Sequence, residues 1–163
     1  MNMVKISQVM KMIPTQQNVK VRETLHLLVR RFGLLQKEGA QCCGISVIHS
    51  HILYELSKHP NISLNDLSQN LAVDTSTLSR QVQQLVEQNM ISRYPDPNDR
   101  RFVVLALTAE GQKVSKEIAE QMEQYVSSVF QFIPKEKQDQ VLESLDLLSN
   151  AMKQSPNCCT PPL

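Results

Sequence analysis

The 163-residue sequence carries few glycines, and its four are scattered rather than grouped into a loop that could cradle a nucleotide phosphate. No histidine pair brackets a glutamate at zinc-protease spacing, and no serine sits in a glycine-flanked nucleophile elbow. No two cysteines are separated by two residues, as a dithiol reductase or a zinc ribbon would require. The four histidines offer no substitute: His49 and His51 are two positions apart on an expected helix and diverge, while His26 and His59 have no partner at metal spacing. An enzyme therefore has nothing to rest on. No apolar run approaches a membrane span, and the start lacks the continuous apolar stretch of a secretory signal. A cytoplasmic protein with no membrane partner is the expectation. Nor is there an excess of charge of one sign, since 17 basic residues face 16 acidic ones. That balance argues against strong nonspecific attraction to a polyanion, although residues 1–40 are net basic and residues 108–163 net acidic.

The informative stretch is Asp74 to Asn89. As a helix it places Leu78, Val82, Leu85 and Val86 on one apolar stripe. The remaining surface holds Ser76, Thr77, Ser79, Arg80, Gln81, Gln83 and Gln84, with hardly any of the Glu/Lys pairing of an ordinary solvated helix. Hydroxyls, amides and a guanidinium are the groups that bond base edges and phosphates, although a polar helix face is more often only solvated. Just upstream, Ser63-Leu64-Asn65-Asp66 reads as an N-cap with an acid three residues on, followed by an apolar face of Leu64, Leu67 and Leu71. Two short helices meeting across Ala72, Val73 and Asp74 make a helix-turn-helix. Downstream, Ile91–Tyr94 and Phe102–Leu107 are short runs of β-formers, and the stretch between them is rich in proline and aspartate. That pattern reads as a hairpin whose tip offers Arg100 and Arg101 to a minor groove or to phosphates.

From Ile62 to Gly111 the chain resembles the MarR family of bacterial winged-helix regulators. The resemblance is carried by Asp96-Pro97-Asn98-Asp99-Arg100-Arg101, the apolar strand after it, and Leu107-Thr108-Ala109-Glu110-Gly111 opening the next helix. It implies a homodimer on a double-stranded operator, with recognition helices in successive major grooves and wings in the flanking minor grooves. By position it also implies that Arg101 enters the groove and that Asp99 holds the wing arginine. The expected DNA-contact set is thus Ser76, Thr77, Ser79, Arg80, Gln83, Arg100 and Arg101.

The expected fold is mostly α with a small β-hairpin wing: a winged helix-turn-helix flanked by long N- and C-terminal dimerisation helices. Residues 1–17 form a leader or short packing segment, 18–60 the N-terminal helices with a cysteine loop, and 61–107 the DNA-binding segment. Residues 108–153 carry the C-terminal dimerisation helices, and 154–163 a Cys/Pro tail, all within one structural domain. The first helix is expected from Asn18 to Glu38 with Val21, Leu25, Leu28, Val29, Phe32 and Leu35 on one face. A loop at 39–45 leads to a helix capped by Ser46 and ending near His59-Pro60. Thr108 caps the long helix bearing Val114, Ile118, Met122, Tyr125, Val126, Val129 and Ile133, and Pro134 opens the last helix, with Val141, Leu142, Leu145, Leu148 and Met152. These helices bear more apolar face than one small winged helix covers, so a second copy is the simplest cover.

The cysteines form two adjacent pairs, Cys42-Cys43 and Cys158-Cys159. Structural disulfides are not expected in a cytosolic chain. Small buried hydrophobes are an even reading for the first pair and a poor one for the second, where an incidental place in a disordered tail is the bland alternative. The functional reading is a thiol sensor. Cys42 and Cys43 are expected just before a helix N-terminus, where thiolate is favoured, and adjacent thiolates suit a soft metal or metalloid. An oxidant acting through disulfides is the second option. No cofactor is required. The alternatives keep the cysteines structural and assign the effector role to a small hydrophobic or phenolic ligand, or dispense with DNA in favour of a helical interaction module.

Overall fold

A computed structural model describes residues 16–96, 99 and 103–154; of Cys42 it describes the backbone alone. Among the described residues six helices and three strands follow in order: α1 (Gln16–Cys42), α2 (Val47–Lys58), β1 (Ile62–Ser63), α3 (Leu64–Leu71), α4 (Thr75–Glu87), β2 (Ile91–Pro95), β3 (Val103–Leu107), α5 (Ala109–Phe130) and α6 (Lys135–Gln154). The expected mostly helical winged helix-turn-helix is what forms. The chain divides into two compact units, residues 1–36 and residues 37–163.

The first unit, as far as it is described, is the initial length of α1. Its expected apolar face is largely exposed: Val21 is 46% exposed, Leu28 51% and Val29 71%. Only Leu25 and Leu35 of that face are half-buried.

The second unit has one core. Ile52, Leu53 and Leu56 of α2, Leu67 of α3, Leu78, Val82 and Leu85 of α4, Ile91 of β2, Leu105 of β3 and Val114 of α5 pack together with Ala40 and Ile45. A three-stranded antiparallel sheet in the order β1-β3-β2 closes one side. Its hairpin register runs from Ile91 opposite Leu107 to Pro95 opposite Val103, and β1 adds Ile62 opposite Leu105.

Helix ends follow from side-chain caps and left-handed residues. Ser46, Ser63, Asp74 and Thr108 each accept a backbone N–H from three residues on, which satisfies one of the donors that a first turn leaves open. At three other ends the chain turns through a positive φ, at Gly44 (71°), Ala72 (50°) and Asn89 (57°). At each, two backbone bonds close the same motif: Ile45 N to Ala40 O and Gly44 N to Gln41 O, Val73 N to Ser68 O and Ala72 N to Gln69 O, Met90 N to Leu85 O and Asn89 N to Val86 O.

Two expectations need correction. The first helix does not stop at Glu38 before Gly39. It continues to Cys42, because Gly39 and Ala40 are buried and Gly44 is the residue that breaks it. The strand Ile62–Ser63 was not foreseen; it is two residues long and owes its existence to pairing with β3.

Candidate nucleic-acid interface

The turn between α3 and α4 is Ala72, Val73 and Asp74, as the sequence pattern suggested. Ala72 ends α3 in the left-handed region, half-buried Val73 packs against the core, and Asp74 caps α4. Asp74 Oδ1 accepts the Thr77 amide at 2.8 Å and the Ser76 hydroxyl at 2.6 Å. The Ser76 hydroxyl foremost, then the Thr77 amide and hydroxyl, with a smaller contribution from the Arg80 charge, pull the Asp74 carboxyl down to about 2. It is therefore ionised at any physiological pH, and the cap is permanent. Thr75 adds a second tie, its hydroxyl donating to Ser68 Oγ at 3.3 Å across the turn.

Leu78, Val82 and Leu85 have no exposed surface at all, which fixes the roll of α4 about its axis. At about 100° per residue the side chains opposite that stripe are Ser76, Arg80, Gln83 and Glu87, all exposed. Three of the five expected α4 contact residues thus share the outermost line. Thr77 and Ser79 do not: both are half-buried and sit on opposite flanks. Ser76 is there with its hydroxyl proton already committed to Asp74, leaving it as an acceptor. Arg80 is held along the helix by an Nε contact to Ser76 O at 3.4 Å, and Gln83 Nε2 donates to Glu87 Oε1 at 3.0 Å.

Gln81 and Gln84, which belong to the same polar surface in the sequence, are turned toward α2. Their amides face His49, a residue only 6% exposed. Burial lowers the pKa of His49, and the Gln84 and Gln81 amides oppose this in part. Its Nε2 makes no hydrogen bond among the described residues.

The far end of α4 is tied to the start of α5. The Thr108 amide donates to Met90 O at 3.0 Å, the Thr108 hydroxyl donates to Asn89 O at 2.6 Å, and the Gly111 amide donates to Thr108 Oγ1 at 3.0 Å. Between these points run β2 and β3, the two strands of the wing hairpin. Asp99 is half-buried and its amide donates to Asp96 Oδ1 at 3.4 Å. Arg100 and Arg101 lie outside the described residues, so the expected groove insertion and the wing-holding role of Asp99 stay expectations. Arg93 is a basic side chain that the sequence pattern did not single out. It is exposed on the edge strand β2.

The cysteine expectation changes more. Cys42 is the last residue of α1 and Cys43 follows it, with α2 starting only at Val47. The pair therefore stands at the negative end of one helix instead of the positive end of the next. Cys43 is half-buried, and its Sγ donates toward Glu117 Oε2 on α5 at 4.0 Å. No group of three or more potential metal ligands occurs among the described residues, and Cys158 and Cys159 lie outside them.

A helix-turn-helix whose second helix presents an outer polar line beside a β-hairpin is the arrangement that docks in a DNA groove. Residues 45–103 match the MarR family model. That segment is similar to the MarR family. Among curated relatives it is 25% identical over 109 residues to the Bacillus subtilis protein YdgJ, an uncharacterized HTH-type transcriptional regulator, covering 67% of this chain and 66% of that one. The chain therefore spans just under two thirds of that relative's length. The crystal structure of E. coli MarR in its apo form superposes with a TM-score of 0.69 at 20% identity, covering 85% of this chain and 98% of the other. A mutant of S. aureus MepR bound to an oligodeoxyribonucleotide superposes at 0.59 with 18% identity, covering 81% and 97%. At these identities the structural matches show the fold, and the relatives are transcriptional regulators rather than enzymes.

Proposed function

We propose that this chain is a MarR-type regulator that acts in the cytoplasm as a homodimeric, sequence-specific DNA-binding repressor released by an effector. The observation that carries the reading is the outer line of α4, with Ser76, Arg80 and Gln83 exposed and the helix locked at both ends by Asp74 and by the Thr108 latch. Thr77 and Ser79 serve from the flanks, and Arg100 and Arg101 from the wing. Support for the dimer comes from the faces one chain leaves uncovered: besides α1, Phe132 is 89% exposed and Leu142, Leu145 and Leu147 of α6 are 50%, 49% and 65% exposed. A two-fold pair burying them would hold two copies of α4 about 34–36 Å apart, one turn of the duplex. Bound there, it would occlude the promoter.

Release is proposed to run through the cysteines, Cys42 and Cys43 with Cys158 and Cys159. Capture of Cys43 by a soft metal or metalloid, or its oxidation, would remove the donor that Glu117 of α5 receives. A second reading, in which the cysteines stay structural, is favoured by a groove of about 360 Å³ lined by Leu56, Pro60, Ala106, Leu107 and Ala119, among others. That volume lies in the range of small-molecule sites, and a hydrophobic or phenolic ligand would fit its lining.

The test is an anisotropy titration of the reduced protein on duplex from its own upstream region, then with arsenite and with a disulfide-forming oxidant. Arg80→Ala and Arg101→Ala are expected to abolish specific binding with helicity and dimerisation unchanged. Loss of the fold in these variants would return both residues to a structural role. Full response to thiol reagents after Cys43→Ser and Cys158→Ser would sink the thiol sensor.

A further inference from the structure

The outer line of α4 ends in a residue that a DNA-binding surface would not be expected to carry. Glu87 is an exposed carboxylate opposite the buried stripe, at the C-terminal end of the helix, where it faces the same way as Arg80 and Gln83. Near phosphates both its charge and the helix dipole are unfavourable. It is also not idle, since Glu87 Oε1 accepts one N–H of the Gln83 amide at 3.0 Å.

That hydrogen bond decides what Gln83 can read. A free glutamine amide can rotate and pair bidentately with adenine, or present its donors to guanine. With one N–H tied to Glu87, the amide is biased toward one orientation. Its second N–H stays available, and its carbonyl oxygen and the second carboxylate oxygen of Glu87 stand as acceptors on the same turn. Arg80, one turn toward the N-terminus, offers donors only. The exposed line thus changes from donor to acceptor along its length. Exocyclic amino groups in the major groove, N4 of cytosine and N6 of adenine, are the complement of the acceptor end, whereas O6 and N7 of guanine are repelled by the Glu87 carboxylate.

We propose that Glu87 is a specificity-determining residue, which orients Gln83 and forms with it an acceptor pair for a base bearing an exocyclic amino group, at the expense of overall affinity. This rests on the reading of α4 as the helix that enters the groove. A charge that weakens all binding but is satisfied at one base widens the gap between operator and random duplex, which is the quantity that matters in a genome.

The experiment is selection from a random duplex library with the full-length protein, followed by anisotropy on the selected duplex and on a scrambled one. Wild type is expected to enrich a motif with cytosine or adenine at one fixed position in each half-site. Glu87→Ala and Gln83→Ala should each lose the preference at that same position, and the double variant should lose no more than either. The ratio of specific to scrambled affinity should fall by about tenfold, the size of one base contact. Affinity for the scrambled duplex should rise in Glu87→Ala and in Glu87→Gln. Circular dichroism should be unchanged in every variant, since both side chains are exposed. If Glu87→Ala enriches the wild-type motif with an unchanged ratio, or the two single variants relax different positions, the assignment is overturned. Failure of the wild type to enrich any motif would instead refute the DNA-binding reading beneath it.

Discussion

Gly111→Ala separates what helix propensity expects from what this structure requires. Gly111 is the third residue of α5, and in a helix alanine is favoured over glycine by up to about 1 kcal/mol. Propensity therefore expects a more stable protein. In the structure a Cβ on Gly111 would overlap the carbonyl oxygen of Met90 and lie 2.9 Å from its carbonyl carbon. Both are backbone atoms, so no rotamer change relieves the overlap. The start of α5 must move from the end of α4, and the first bond at risk is Thr108 N to Met90 O at 3.0 Å. Overpacking costs roughly 1–3 kcal/mol, and a weakened backbone hydrogen bond about 1 kcal/mol. After subtracting the propensity gain, the net effect is a destabilisation of about 1–3 kcal/mol, or a Tm lower by roughly 2–12 °C for a chain of this size. Urea unfolding followed by far-ultraviolet circular dichroism measures it. A midpoint equal to or above that of wild type, with an unchanged slope, would refute the argument that the α4–α5 contact needs a missing side chain.

The remaining predictions concern the same neighbourhood. Ala72 holds φ at 50° in the helix-turn-helix turn, so Ala72→Gly is expected to raise stability by about 0.5–1 kcal/mol, relief of the left-handed strain exceeding the added chain entropy; the same urea assay reads it, and a lower midpoint would contradict it. Leu85 is fully buried beneath the outer face of α4, and Leu85→Ala should cost about 2–5 kcal/mol by equilibrium unfolding. The folded-state pKa of His49 lies below its ordinary 6.5, so the unfolded chain takes up this proton first. Its contribution is fully present above pH 6.5 and is lost as pH falls below that toward the folded value, so the urea midpoint of wild type should drop between pH 7 and 5 more than that of His49→Gln; parallel pH profiles would rule it out.

How much was legible beforehand depends on whether the cause of a feature is local. The stripe of Leu78, Val82 and Leu85 and the caps Ser46, Ser63 and Thr108 are set by residues three or four apart, and all appear as the pattern indicates; the Asp74 cap is just as local but was read only as part of the turn. The end of α1 was misread because Gly39 looks like a terminator. The residue is instead a point of close approach to α5, with Gln121 and Met122 about 4 Å from where its Cβ would be. The strand Ile62–Ser63 has no local signal at all, because its partner Leu105 is more than forty residues away. The polar surface of α4 was read as one face, yet Gln81 and Gln84 turn to a buried histidine on α2 that no spacing rule connects to them. Glu87 was overlooked as the fourth member of the outer line, since a carboxylate there looks like the solvated end of a helix.

The position of the latch bears on how a regulator of this shape can be switched. α4 is held at its start by Asp74 and at its end through Asn89, Met90 and Thr108, and the last of these caps α5. The C-terminal half of α5 carries Tyr125, Val126 and Val129, 38%, 42% and 39% exposed. One helix thus has its first turn bonded to the backbone below the reading face and its far end in the surface proposed to pair with a second copy. A helix transmits rotation along its axis with little compliance, because each turn is bonded to the next. Whatever reorients the far end of α5 must either move the end of α4 or break the latch, whose two hydrogen bonds from Thr108 to Asn89 and Met90 are each worth about 1 kcal/mol. That sum is comparable with the roughly 1–3 kcal/mol by which an effector typically couples to DNA affinity. Thr108→Val would remove both hydroxyl bonds while keeping the amide bond to Met90. If the latch transmits the signal, this variant binds operator but is released less completely by effector. If release is undiminished, the signal reaches α4 by another route, and the packing of α2 against it is the next to examine.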